Sequence, residues 1–227
     1  MASRPHIVAL IVAAGSGSRA GGDTPKQFRL VDGRPMLAHS YAALAQHADI
    51  RTVYVAVGDG QESLATDALN GLPEPVLLTG GATRKESVSR GLDAISAQGG
   101  ADFVLIHDAA RPFLPEAVID ALIDALLMAP GAVPALPVVD SLSRGTDVLT
   151  GTVDRSHLWR VQTPQAFHFD AILDAHRTWS GEDPTDDARM LMAKPATDFR
   201  LGMAFALTAA LSFGMSGPFA RGLMDAG

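Results

Sequence analysis

The sequence predicts an α/β fold: a mostly parallel, twisted sheet with helices on both faces and a β-hairpin arm. Three observations support this. Apolar runs rich in β-branched residues recur at Ile7–Ala14, Val53–Val57 and Phe103–Ile106, and glycine or a polar cluster ends each. Such runs read as strands buried on both faces. Between them lie segments with apolar residues at helical spacing, and this alternation implies parallel crossovers. The polar clusters fall at carboxyl ends of strands, where ligands bind in such sheets.

The first strand, Ile7–Ala14, runs into Gly15-Ser16-Gly17-Ser18-Arg19-Ala20-Gly21-Gly22. Arg4 followed by this apolar run has the outline of a signal peptide, but the same residues are required as the strand before the loop. Glycine allows a tight turn and close approach of backbone N–H groups to a ligand, and successive N–H groups favour anions. Arg19 and Lys26 add two cations. Together they make a phosphate cradle, and three readings of it compete. Gly15, Gly17 and Ala20 satisfy G-x-G-x-x-G/A, a weak match that requires a helix starting inside the motif. The loop instead continues through Asp23 and Pro25. The pattern G-x-x-x-x-G-K-[ST] fails because Asp23 follows Gly22. The third reading is a nucleotidyltransferase loop in which arginine and lysine hold a triphosphate.

Further along, Asp32-Gly33-Arg34-Pro35 reads as a turn and Met36–Gln46 as a helix. Val53–Val57 is a second strand, Glu62–Leu69 a short helix, and Pro75–Thr79 a third strand ended by Gly80-Gly81. Arg84–Ala97 is a helix with Val88, Leu92 and Ile95 inward. Phe103–Ile106 is a fourth strand, followed by His107-Asp108-Ala109-Ala110-Arg111-Pro112. Pro115 opens a helix through Met128, in keeping with its tolerance in a first turn. Ala132–Val139 is a fifth strand. Asp140–Leu158 has the pattern of a hairpin arm leaving the sheet, too small for a core and suited to packing on another subunit. Trp159–Gln162 returns to the body, Thr163-Pro164-Gln165 turns, and Phe169–Trp179 is helical.

The 227 residues are 47% hydrophobic and 19% charged, which suits one sizeable domain and excludes global disorder. A net charge of -7 argues against a nonspecific nucleic-acid binder. The absence of cysteine excludes thiolate chemistry and is compatible with a reducing cytoplasm. The seven histidines show no zinc-site spacing.

The segments AAGSGSRAGGDTPKQF, GGATRKESV, HDAARPF, TVDR and TPQAF occur in the order and spacing of the 2-C-methyl-D-erythritol 4-phosphate cytidylyltransferases. The resemblance covers about residues 5–189. It implies a nucleotide-diphospho-sugar-transferase-like fold and a domain at 5–191 with its arm at about 140–158. It implies a Mg2+-dependent reaction of CTP with methylerythritol phosphate that gives CDP-methylerythritol and pyrophosphate. By this resemblance Ala13, Ala14, Gly81 and Ser87 face cytosine or ribose. Arg111, Ser141, Arg155 and Thr163 contact methylerythritol phosphate, with Ser141 and Arg155 supplied by the partner in a homodimer.

The chemistry agrees. In-line attack on an α-phosphorus needs neutralised phosphate charge and positioned oxygens. The nucleophile is a phosphomonoester, already largely dianionic at neutral pH, so no general base is needed. Lys26 and Arg19 stabilise the triphosphate and the transition state, and Asp108 is placed to hold Mg2+. Plainer roles compete: Asp108 as a turn cap, Arg155 as a surface ion-pair residue, Ser87 as a helix cap, and His107 as a local packing residue. The competing functions are another sugar-phosphate or cofactor nucleotidyltransferase and an inactive CTP-binding remnant.

The family pattern breaks after Thr185-Asp186-Asp187-Ala188. Its later lysine segment, which also touches phosphate, has no counterpart after Met190. Residues 192–227 resemble the start of a drug/metabolite-type transporter, as from a fusion or a frame error. Leu201–Phe219 carries no charged residue and would form a helix of about 28 Å, near the roughly 30 Å of a bilayer core. Membrane contact is expected only if this tail inserts. The alternative is a divergent helix that completes the core.

Overall fold

The computed structural model describes residues 4–15 and 24–193. Its strands are β1 (Ile7–Ala13), β2 (Leu30–Val31), β3 (Arg34–Pro35), β4 (Ile50–Val57), β5 (Val76–Thr79) and β6 (Phe103–Asp108), then β7 (Gly131–Ala132), β8 (Ala135–Pro137), β9 (Leu142–Gly145), β10 (Leu149–Val153), β11 (Trp159–Val161) and β12 (Gln165–His168). The helices are α1 (Met36–Ala45), α2 (Glu62–Ala68), α3 (Arg84–Ala97), α4 (Glu116–Leu126), α5 (Phe169–Thr178) and α6 (Asp187–Met192). A single 3-10 turn spans Lys26–Phe28.

The main sheet has six strands in the order β5-β4-β1-β6-β12-β7. The β5, β4, β1 and β6 neighbours are parallel, and β12 runs antiparallel to both β6 and β7. Side chains alternate across a strand, so β1 sends Ile7, Ala9 and Ile11 to one face and Val8 and Leu10 to the other. On the first face Leu37, Tyr41 and Leu44 of α1 and Ile119 and Leu122 of α4 complete one core. On the second, Val88, Leu92 and Ile95 of α3 and Ile172 of α5 complete another. The expected mostly parallel α/β fold is what forms.

Two segments differ from expectation. Ala132–Val139 is not one strand. Pro134 has no N–H for a ladder, and the chain leaves the main sheet there: β7 pairs with β12, and β8 pairs with β11 in a separate two-stranded sheet. The turn expected at Thr163–Gln165 contains a cis Thr163–Pro164 peptide, but Gln165 already belongs to β12. Asp187–Met192, for which no element was expected, forms α6, capped by the Asp186 carboxylate accepting the Arg189 N–H at 3.1 Å. The turn at Asp32-Gly33 is a two-residue hairpin loop between β2 and β3. Both residues have positive φ (49° and 72°), the conformation such loops need. The arm is a hairpin of β9 and β10.

Register determines where the site lies. Val12 is level with Asp108, Ala13 with Val57, and Val57 with Thr79. The carboxyl ends of β1, β4, β5 and β6 therefore form one row. The connections leave β1 toward β4 and β5, then return to β6 on its other side, so β1/β6 is the switch point at which such sheets open a crevice.

Candidate active site

The glycine loop leaves β1 at Ala14 and Gly15 and re-enters the described residues at Thr24. Arg19 and Gly17 lie outside those residues. Gln27 ties the two ends together. Its Nε2 donates to Ala13 O at 2.6 Å and lies 3.2 Å from Gly15 O, and it reaches Gln61 Oε1 at 3.3 Å. Gln27 is buried and Lys26 half-buried, and the Gln27 amide points inward, to Ala13 O. Among the described residues Lys26 makes no ion pair.

The second loop, Gly80-Gly81, packs directly on Ala14. A Cβ on Gly80 would sit 2.5 Å from Ala14 Cβ, and one on Gly81 would sit 2.2 Å from Glu86 Cβ, so only glycine permits this approach. The loop is held from below. Ser87 Oγ accepts the Gly81 N–H at 3.0 Å and donates to Thr83 O at 2.9 Å. Thr83 Oγ1 accepts the Glu86 N–H at 3.1 Å, while Glu86 accepts the Ala82 N–H at 2.7 Å. This is a close variant of the reciprocal capping box. Thr83 is thus the cap of α3. Ser87 is 1% exposed and engaged with its own loop.

The third segment follows β6. Asp108 is half-exposed. Arg84 Nε donates to its Oδ1 at 3.0 Å, and Arg111 Nε lies 3.7 Å from Oδ2. Its carboxylate faces arginines rather than capping the following turn. Thr163 Oγ1 accepts the Asp108 N–H at 3.2 Å and donates to His107 Nδ1 at 3.1 Å, and His107 Nε2 donates to Arg111 O at 3.1 Å. Burial pushes the His107 pKa down to about 4, so the ring is neutral and structural, as the sequence reading expected. Arg111 also donates to Gln162 Oε1.

The β1, β5 and β6 ends thus carry Ala13, Ala14, Gly15, Gly81, Asp108 and Arg111, with Ser87 of α3 and Thr163 before β12 hydrogen-bonded to them and Lys26 on the returning loop. Ser141 and Arg155 stand apart, exposed at the base of the arm, where Arg155 donates to Val139 O of its own chain. Sequence reasoning missed Gln27 and Arg84. Arg84 donates from its Nε to Asp108 and from a terminal nitrogen to Asp187 Oδ2 at 2.7 Å.

No group of three or more His, Asp or Glu side chains gathers among the described residues. Asp108 is the carboxylate at the switch point. That fits an ion which takes one or two carboxylates and completes its shell with water and phosphate. No described helix is long and apolar enough to cross a membrane. The tail from residue 194 onward, with its expected transporter-like segment, lies outside the described residues.

The family model for 2-C-methyl-D-erythritol 4-phosphate cytidylyltransferase matches residues 7–196. A relative from Rhizorhabdus wittichii, a bifunctional enzyme IspD/IspF, is 53% identical over 194 residues, which are 85% of this chain and 50% of that protein. This chain therefore spans about half the length of that relative. A 2-C-methyl-D-erythritol 4-phosphate cytidylyltransferase from Cereibacter sphaeroides is 45% identical over 188 residues, 82% of each chain. The crystal structure of the Thermus thermophilus cytidylyltransferase superposes with a TM-score of 0.70 at 31% identity, covering 94% of this chain and 98% of that one. On this match of sequence and fold, the chain belongs to the 2-C-methyl-D-erythritol 4-phosphate cytidylyltransferase family.

Proposed function

We propose that this chain transfers the cytidylyl group of CTP to 2-C-methyl-D-erythritol 4-phosphate, releasing pyrophosphate. The observation that carries this reading is the convergence of the Ala14, Gly80-Gly81 and Asp108–Arg111 segments at one switch point, in a chain of this family. An oxygen of the methylerythritol phosphate attacks the α-phosphorus of CTP. The new P–O bond forms as the bond to the β-phosphate oxygen breaks, and pyrophosphate leaves with that electron pair. No proton need move, because the attacking group is already a dianion.

The work left to the protein is positioning and charge. The backbone at Ala13, Ala14 and Gly81, shaped by Ser87, receives the nucleoside. Lys26 and the backbone at Gly15 serve the triphosphate, and the family resemblance gives Arg19 and Gly17, outside the described residues, the same role. Arg111 and the Thr163 segment receive the acceptor phosphate. Asp108 would hold Mg2+, which supplies charge neutralisation on the phosphate oxygens when bound. Ser141 and Arg155 complete the acceptor site from a second copy. The arm suits that role: a two-stranded hairpin is marginal alone, and Val139, Val148 and Leu149 at the arm are 64%, 69% and 80% exposed.

The test is Lys26→Ala with CTP, Mg2+ and methylerythritol phosphate, followed by pyrophosphate release. Turnover is expected to fall by about 10²- to 10³-fold, the scale for removing one transition-state donor, with folding intact. Near-normal turnover in a folded variant refutes the assignment of this loop.

A further inference from the structure

Arg84 bridges a half-exposed carboxylate at the site and a buried one behind it. Its Nε donates to Asp108 Oδ1 at 3.0 Å and a terminal nitrogen donates to Asp187 Oδ2 at 2.7 Å. Asp187, at the start of α6, is 1% exposed and fixed on every side. His176 Nε2 donates to its Oδ1 at 3.1 Å, and the Asp187 and Ala188 N–H groups donate to Gln165 Oε1 at 3.0 and 3.1 Å. His176 is pinned in turn by Ser89 Oγ, 3.0 Å from Nδ1. Burial alone would raise the Asp187 pKa, but the His176 hydrogen bond and the Arg84 charge hold it below the usual carboxylate range. Arg84 cannot swing away without stripping the buried Asp187 carboxylate of its guanidinium partner, which is strongly unfavourable. Its planar fork then fixes the direction of the Nε–H, and with it the Asp108 carboxylate. Oδ1 is committed to Arg84. Among the described residues Oδ2 has only Arg111 Nε, at 3.7 Å, beyond hydrogen-bond distance.

We propose that Arg84 is a positioning residue, which clamps the Asp108 carboxylate in the orientation that a divalent cation on the nucleotide triphosphate requires, and that buried Asp187 anchors the clamp. This rests on the reading of Asp108 as the residue that faces the metal–triphosphate. A bridge that only joined α3 to α6 would need the Asp187 contact alone. The second prong, onto Asp108, is what a lysine cannot reproduce while keeping the first, because its charge is a point and not a fork.

The experiment uses the full chain and three variants, Arg84→Lys, Asp187→Asn and Asp108→Asn. Mn2+ binding to the protein–CTP complex is followed by electron paramagnetic resonance, alongside the Mg2+ dependence of pyrophosphate release and circular dichroism. Arg84→Lys is expected to weaken Mn2+ binding by about 10- to 100-fold, the usual effect of losing a group that orients a metal ligand. Its turnover at saturating Mg2+ should stay within a few-fold of the parent. Asp187→Asn should shift the metal requirement in the same direction. A folded Arg84→Lys protein with unchanged Mn2+ affinity, beside an Asp108→Asn protein that has lost it, overturns the clamp and leaves Asp108 in place. Unchanged affinity in Asp108→Asn overturns both. Unfolding of both Arg84→Lys and Asp187→Asn would make the bridge a folding clasp and also overturn the proposal.

Discussion

His107 should make the fold acid-sensitive in a defined pH window. Its ring is fully buried between Thr163 Oγ1 and Arg111 O, and its pKa is pushed from 6.5 down to about 4 by burial. The unfolded chain binds a proton below about pH 6.5 that the folded chain refuses until about pH 4. Stability contributed by neutral His107 is therefore complete above the first value and lost as pH falls toward the second. At about 1.4 kcal/mol per pH unit for one proton, the loss is about 3 kcal/mol, a sizeable part of an ordinary domain's 5–15 kcal/mol. Asp187, whose pKa lies below the usual carboxylate range, contributes its own loss only at lower pH. The assay is urea unfolding from about pH 8 to about pH 4, comparing the protein with His107→Gln. The variant is expected to be less stable at the alkaline end, and the gap should close by about 3 kcal/mol across the window. A gap that stays constant with pH refutes the neutral buried histidine.

Two further predictions concern the loops and the arm. Gly81→Ala would put a methyl 2.2 Å from Glu86 Cβ, and the loop must move; a cost of about 1–3 kcal/mol in stability is expected, with a rise in the KM for CTP of about tenfold. Unchanged KM in that variant would remove the loop from the nucleotide site. If Arg155 serves the partner's site, mixing inactive Lys26→Ala and inactive Arg155→Ala proteins should restore activity through heterodimers with one intact site. No recovery after subunit exchange, verified by mass, would return Arg155 to its own chain.

The parts legible in the sequence were those whose cause is local. Ile7–Ala13 is a central strand because every side chain in it is apolar, and Asp32-Gly33 turns because those two residue types tolerate positive φ. The convergence of Ala14-Gly15, Gly80-Gly81 and Asp108 followed from the topology of parallel strands. The less legible parts depend on partners far along the chain. Arg84 and Asp187 are 103 positions apart, and nothing in either segment names the other. One signal was available: an arginine in the first turn of a helix opposes the helix dipole, so Arg84 had to find carboxylates. Gln27 was visible beside Lys26, but its amide acquires a role only when the ends of the glycine loop approach. β12 is four residues long, too short for periodicity to separate it from the turn before it. Ala132–Val139 looked continuous because its apolar content outweighed Pro134, yet the missing N–H decided where the chain left the sheet.

The most direct measurement is pyrophosphate release by the full chain with methylerythritol phosphate and each of CTP, UTP, ATP and GTP in turn. Rapid release with CTP, absent without the acceptor and at least about 10²-fold slower with the other nucleotides, is the predicted result, since a base held by polar contacts rejects mismatched partners by that order or more. Equal rates with several nucleotides, or tight CTP binding with no turnover under any condition, would contradict the account.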